Sequence, residues 1–289
     1  MSPLYFEYTA AANLKLPKIR PTAVENKNTG VYTVDLSSEL QAASLATSPA
    51  MSLSFVNICS NEMLTTKANA SSHVFVVIKG SGQSLSNGKL LKWENGDVFT
   101  FPGKSIITHT GFEDSTLYWV NDGPLLDYMG VTPEIDTFTA TLYKRHDIEK
   151  HANTYNTAPS SFKRNRNGVL LANEACKLTR TITPTLWTLY DILHNNRIQL
   201  PHKHNSVGLD LCVQAPDHGC YTLMSPSIDA NNKLINPIRL DWKTGQAFIT
   251  PPGWWHEHHN ETDQDAAVLA VQDAGLYTYL RTLDIKFVH

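Results

Sequence analysis

Residues 245–260 read GQAFITPPGWWHEHHN: Gly245, the run AFIT, Pro251, Gly253, His256 and, closing the stretch, Asn260. Upstream stands a His-x-His pair, His202 and His204. Side chains alternate along a strand with period two, so His202 and His204 face one side and Lys203 the other. Gly245 is expected to turn the chain into a strand over AFIT. Pro251 and Gly253 then re-aim it in a tight turn that swings His256 back inward. Three imidazoles from two strands of a barrel converge in this way, which is a donor set for one divalent metal ion.

Length and charge narrow the function classes. A chain of 289 residues has room for two modest cores or one large one. A net charge of −3, with no basic stripe interleaved with aromatics, argues against a nucleic-acid surface. The start, MSPLYFEYTAAANLKLPKIRP, has no apolar run of signal-peptide length, and no uncharged stretch is long enough to cross a bilayer. The expectation is a cytoplasmic protein with no membrane partner. Cys59, Cys176, Cys212 and Cys220 are widely spaced without any Cys-x-x-Cys and read as reduced thiols. Cys212 and Cys220 stand out because they fall in the strand pair downstream of the histidines.

The order and spacing of the histidine stretch resemble the two motifs of the cupin superfamily. The run TPTLWTLYDIL over 183–193, then PHKH, ITPPGWWHEHHN and QDAGLYTYLRTLD, resembles the metal-bearing domain of gentisate 1,2-dioxygenases over roughly residues 183–284. Two departures stand out. Asn196 takes the place of a glycine six residues before His202, and asparagine tolerates turn conformations almost as well. Gly208 and Leu209 occupy the positions where many cupins carry a fourth, carboxylate ligand, a feature the gentisate-dioxygenase branch also lacks. Neutral imidazoles with open positions suit iron(II), which must take an organic chelate and dioxygen together. Zinc, manganese or nickel remain open, and zinc would point to hydrolysis or hydration.

HVFVVIKGSGQSL, KLLKWENGDVFTFPGK and STLYWVNDG are β-branched and aromatic runs separated by turns, and they repeat the pattern of the later half. The fold expected is all-β: a bicupin of two antiparallel barrels, over residues 1–132 and 167–289, joined by a connector over 133–166. In the first barrel Gly96 to Pro102 keeps the motif spacing, but Thr66, Ala68 and Ile107 stand where ligands would be. That metal site is therefore degenerate, with His73 and His109 the only histidines near it. This barrel resembles the metal-free second domain of gentisate dioxygenases, so the domain order is expected to be reversed. In the connector, Lys163, Arg164 and Arg166 read as solvated, with anion binding as the alternative.

Around the metal, His258 shares a face with His256 and is the candidate for proton handling. Asp273 matches an aspartate of the dioxygenase pattern that orients His258 or a substrate hydroxyl; the alternative is a carboxylate that merely starts a loop. His259 and His218 read as surface or turn residues. Trp254, Trp255, Trp187 and Tyr190 are either barrel packing or walls of an aromatic pocket. In gentisate dioxygenases the strand after His-x-His carries an arginine for the substrate carboxylate, and the matching residue here is Asp210. An inward Asp210 repels gentisate and favours a hydroxyl, amine or cation. The resemblance thus implies an iron(II) dioxygenase acting on an oxygenated aromatic or enolic small molecule other than gentisate, with dioxygen as co-substrate. Alternatives are a redox-neutral metal-dependent lyase, isomerase or hydrolase, and a non-catalytic small-molecule-binding bicupin. A homo-oligomer is expected, since cupins pair through barrel edges.

Overall fold

The computed structural model describes residues 3–9, 14–17, 21–23, 26–157 and 166–288. Its strands run in two series. The first comprises β1 (Gly30–Thr33), β2 (Ser52–Ile58), β3 (Met63–Thr66), β4 (Ser72–Lys79), β5 (Ser81–Ser86), β6 (Lys89–Glu94), β7 (Val98–Pro102), β8 (Ile107–Gly111), β9 (Ser115–Asn121) and β10 (Thr141–Tyr143). The second comprises β11 (Gly168–Leu171), β12 (Trp187–Leu193), β13 (Arg197–His204), β14 (Gly208–Gln214), β15 (Cys220–Ser225), β16 (Ile238–Asp241), β17 (Ala247–Thr250), β18 (Trp255–Asn260), β19 (Ala266–Gln272) and β20 (Ile285–Phe287). Among the described residues four α-helices, α1 (Ser37–Leu40), α2 (Gly123–Met129), α3 (Arg145–Thr157) and α4 (Ala274–Leu280), and a 3-10 turn over Glu174–Cys176 accompany them. None is long and apolar enough to cross a membrane.

Each series folds into two facing antiparallel sheets. The first pairs β1-β2-β9-β4-β7-β10 with β3-β8-β5-β6, and the second pairs β11-β12-β19-β14-β17 with β16-β15-β18-β13-β20. The registers of the two larger sheets coincide position for position. Val74 lies opposite Thr100 and Val120, as Leu209 lies opposite Ile249 and Val271. The internal duplication read from the sequence is therefore structural, and the all-β, two-barrel expectation holds.

The larger sheets pack against each other. Val76, Tyr118 and Val120 of one barrel and Leu209, Leu211 and Val271 of the other belong to a single buried cluster. Each fully buried aliphatic side chain contributes roughly 1.5–3 kcal/mol, so this interface holds the barrels as one body. Polar groups cross it as well: Tyr118 donates its hydroxyl to Leu209 O at 2.9 Å, and Thr185 donates to Asp122 at 2.8 Å. The segment expected to be only a connector joins both barrels, since β10 extends the first barrel's large sheet and α3 packs on β11 and β12. Near the N-terminus, Thr22 and Ala247 exchange two 2.8 Å main-chain hydrogen bonds at the edge of β17.

Tyr118→Phe should keep the packing and leave the buried Leu209 carbonyl without its hydroxyl donor. The expected loss is about 1–2 kcal/mol in a urea denaturation curve. An unchanged midpoint would mean that the hydroxyl contributes nothing to the joint between barrels.

Candidate metal centre

β13 delivers two imidazoles to the barrel interior through a local irregularity. Its register against β18 shifts between Gln199 and His202, so Leu200 and Pro201 form a bulge, the kind of position where a strand tolerates proline. The bulge lets Gln199 and His202 pair with inward residues of β18, namely His258 and His256. Asn196, in the left-handed region at φ 51°, makes the turn into the strand, as its glycine-like position requires. At the far end Gly253 (φ 75°) donates its N–H to His204 O at 2.7 Å, which ties the β17–β18 turn to β13 and sets His256 beside the pair.

His202, His204 and His256 each offer a ligand atom, and the three atoms lie within 4.8 Å of one another. This is the one such group of histidine, cysteine or carboxylate side chains among the described residues. His204 Nδ1 lies 2.9 Å from Ser206 O, and His256 Nδ1 lies 3.1 Å from Trp254 O. A carbonyl only accepts, so both Nδ1 atoms carry the proton and both Nε2 lone pairs remain for a metal. Burial holds the imidazoles neutral: it lowers His204 to about 4 and drives His202 and His256 well below the usual value, helped by the neighbouring positive groups. Neutral, converging nitrogens, those of His204 and His256 fixed in tautomer, fit a divalent ion.

His258 lies next to this triad, its ring centroid 5.8 Å from that of His256. Its Nδ1 is 2.8 Å from Thr222 Oγ1, which also accepts the Trp242 indole N–H at 2.9 Å. With that N–H accepted, the threonine's own hydrogen is best satisfied by giving it to His258 Nδ1, which leaves the His258 proton on Nε2. The first barrel repeats the device: Trp93 donates to Ser84, which contacts His109 Nδ1 at 2.7 Å, while His109 Nε2 meets Thr66 Oγ1 at 2.9 Å. Ile107 stands opposite Thr66 as His256 stands opposite His202. The rest of that interior is filled by rings, with Phe75 stacked 4.8 Å from Phe99 and 5.7 Å from Trp119. In the second barrel the register places Asp210 and Ala270 where Phe75 and Trp119 stand in the first, and Gly208 where His73 stands. That exchange puts small and polar residues beside the histidines where the first barrel has rings.

Arg166, expected on a solvated connector, is turned inward instead. Its guanidinium donates to Gln199 Oε1 (2.7 Å) and to Leu200 O (2.9 Å), and Nη2 also contacts His202 Nδ1. Burial lowers its pKa only to about 10, so it remains a cation. Asp191 and Asp210 act on it electrostatically, and burial raises both carboxyls, Asp210 to about 7. Asp210 accepts from Thr250 Oγ1. Arg166 Nε and Asp191 Oδ1 are buried without a partner. Lys163 and Arg164 lie outside the described residues.

The other candidates separate cleanly. Asp273 accepts the Val207 N–H at 2.8 Å ahead of α4, as Asp122 accepts the Ser72 N–H at 3.0 Å ahead of α2. The repetition marks a bond of the duplicated frame, and burial raises Asp273 to about 7. His259, expected at the surface or in a turn, is instead buried within β18, where it stacks on Tyr221 (4.5 Å) and contacts Glu257, whereas His218 is exposed in a bend as expected. Trp254 packs on the barrel core, Trp255 faces the Lys203 ammonium, and Tyr190 belongs to the cluster between the barrels. All four cysteines are free. The inward Arg166 had no signal in the sequence, whereas the indole-to-histidine device did: Trp93-x-x-Gly96 and Trp242-x-x-Gly245 recur at the same place in the two halves.

The raised Asp210 pKa has a testable sign. A folded-state value above the unfolded one gives stability that is complete below the ordinary carboxyl pKa of roughly 4 and lost as pH rises through the folded value, about 7. Asp210→Asn stays neutral throughout. Its melting temperature should therefore gain on the wild type as pH rises from about 4 to about 8. A gap that stays constant with pH would mean an Asp210 ionised against Arg166 over the whole range.

No family model matches the chain. A curated 5-aminosalicylate 1,2-dioxygenase from Comamonas sp is 30% identical over 83 residues, which cover 26% of this chain and 22% of that protein's length. The chain thus matches only about a fifth of this relative. Solved structures match far more of it. A salicylate 1,2-dioxygenase from Pseudaminobacter salicylatoxidans superposes with a TM-score of 0.67 at 13% identity, covering 94% of this chain and 92% of its own. A cupin 2 conserved barrel domain protein from Leptotrichia buccalis gives 0.53 at 13% identity over 90% and 99%. At such identities the likeness is one of architecture, and it agrees with the paired registers: the chain has the bicupin fold, two antiparallel barrels side by side.

Proposed function

We propose that the protein is a non-haem iron(II) dioxygenase acting on an oxygenated aromatic or enolic small molecule, with His202, His204 and His256 as the metal ligands. The observation that carries this reading is the convergence of three neutral, buried imidazoles with no carboxylate among them. Proteins named as dioxygenases of salicylate and 5-aminosalicylate support an oxygenated aromatic as substrate, and both of those compounds carry the ring carboxylate that Asp210 would oppose here. When bound, iron(II) supplies a redox-active centre at which a chelating substrate and dioxygen meet.

The chain's own groups do the rest. His258 presents an Nε2–H beside the triad, held in that tautomer by Thr222 and Trp242, and donates to or takes a proton from a substrate oxygen. Arg166 supplies a fixed cation next to His202 for an oxyanion of the substrate. Asp210, with Asp191, opposes a second carboxylate and prefers a hydroxyl or amino donor, so gentisate is disfavoured. Asp273 acts through Val207, at the start of β14, and so bears on the site by placing the strand that carries Asp210. The first barrel, its interior filled by rings, holds no metal.

A second reading has one specific observation behind it. Asp210 is pushed to about 7, the range where a carboxyl serves as general acid or base in redox-neutral hydrolysis, isomerisation or lysis over zinc or manganese.

Metal analysis of protein purified without oxygen, followed by oxygen uptake with catechols, hydroquinones and aminophenols, separates the two. The expectation is one iron per chain, lost in His256→Ala, and substrate-dependent oxygen consumption. Zinc or manganese with no oxygen uptake would favour the second reading, and about two metals per chain would revive His73 and His109. Matched substrates with and without a ring carboxylate should differ by about a thousandfold in kcat/KM. Good turnover of gentisate, unaffected by Asp210→Asn, would place that carboxylate away from the substrate.

A further inference from the structure

The three ligands are not held alike. His204 and His256 each donate Nδ1–H to a main-chain carbonyl, and this fixes the plane of each ring. His202 has no such acceptor: its Nδ1 faces the Arg166 guanidinium, which only donates and cannot take an N–H. Something else must orient this ring when its Nε2 turns to a metal.

The C-terminal strand is placed to do so. β20 pairs with β13 with Phe287 opposite His202, so the two side chains share a face, and their rings are nearly parallel at 7° with centroids 5.6 Å apart. The strand is anchored on both sides of this contact. Val288 N donates to Pro201 O at 3.0 Å, and Asn205 clamps the other end through Asp284 N (2.9 Å) and Thr282 O (2.9 Å). Phe287 is 47% exposed, so hydrophobic burial alone does not explain a ring held in this register. Among the described residues the first barrel has no counterpart: β3, the equivalent of β13, lies at the edge of its sheet, and that barrel carries threonine in place of His202.

We propose that the C-terminal strand is part of the metal centre and that Phe287 is a positioning residue for His202, a role that rests on the three-histidine site proposed above. The stack holds the imidazole plane from its face, the part of the carbonyls' work at His204 and His256 that a ring can do, while Arg166 meets the ring at its edge.

The test is titration of the metal-free full chain with cobalt(II), read by visible absorption, which reports both affinity and the geometry of the nitrogen ligands. Phe287→Ala and Phe287→Leu, which lose the ring, should bind cobalt about tenfold more weakly with altered bands, in the range seen when a group supporting a metal ligand is removed. Phe287→Trp should bind nearly as the wild type does. Lys286→Ala, on the same strand with its side chain 57% exposed, should be unchanged. If Phe287→Ala fails to fold, Phe287→Leu, which keeps the apolar bulk, carries the comparison. Wild-type affinity and bands in the ring-less variants would overturn the positioning role alone, as would an equal loss in Lys286→Ala. A wild-type chain that takes up no cobalt would overturn the metal centre itself.

Discussion

The site depends on one kind of hydrogen bond, an imidazole Nδ1–H given to a main-chain carbonyl. At His204 and His256 this bond fixes tautomer and ring plane together, so the Nε2 lone pairs are aimed before any ion arrives. Burial completes the arrangement by keeping the rings neutral where a solvent-exposed histidine would begin to protonate. The carbonyls belong to Ser206 and Trp254, each just outside a strand, so the aim of the ligands is set by where β13 ends and β18 begins. The bulge at Leu200 and Pro201 and the Gly253 turn are what put those ends there.

The two barrels show what one frame does with different filling. Their registers coincide, their indole, hydroxyl and imidazole relays coincide, and the carboxylates before α2 and α4 accept equivalent main-chain N–H groups. The interiors differ. Stacked Phe75, Phe99 and Trp119 close the first, whereas Gly208, Asp210 and Ala270 open the second to polar groups. The first barrel then serves the second through the shared apolar layer and the Tyr118 hydroxyl, which stiffen β14 from behind.

Much of this was legible in the sequence because it is written in local periodicity. Alternation placed His202 and His204 together, the proline and glycine turn returned His256, and Thr66 and Ile107 marked the degenerate copy. What stayed hidden comes from pairings between distant segments. Arg166 sits in a polar stretch that reads as a solvated connector, and only the fold turns it onto Gln199 and His202. Phe287 lies 85 residues beyond His202 in a short terminal strand whose partner no local pattern names. Asp273 was read as orienting His258 or a substrate hydroxyl, or else as a carboxylate that starts a loop, and its bond to Val207 ahead of α4 follows from the duplicated frame.

The second barrel is expected to carry a single metal centre built from three imidazoles. X-ray absorption at the metal edge of protein purified without oxygen tests it most directly, because imidazole rings give a distinctive outer-shell scattering pattern. The expected spectrum has an iron edge and a first shell of nitrogen and oxygen with three imidazoles per metal. A shell without imidazole scattering, or one containing sulfur from the cysteines, would contradict it.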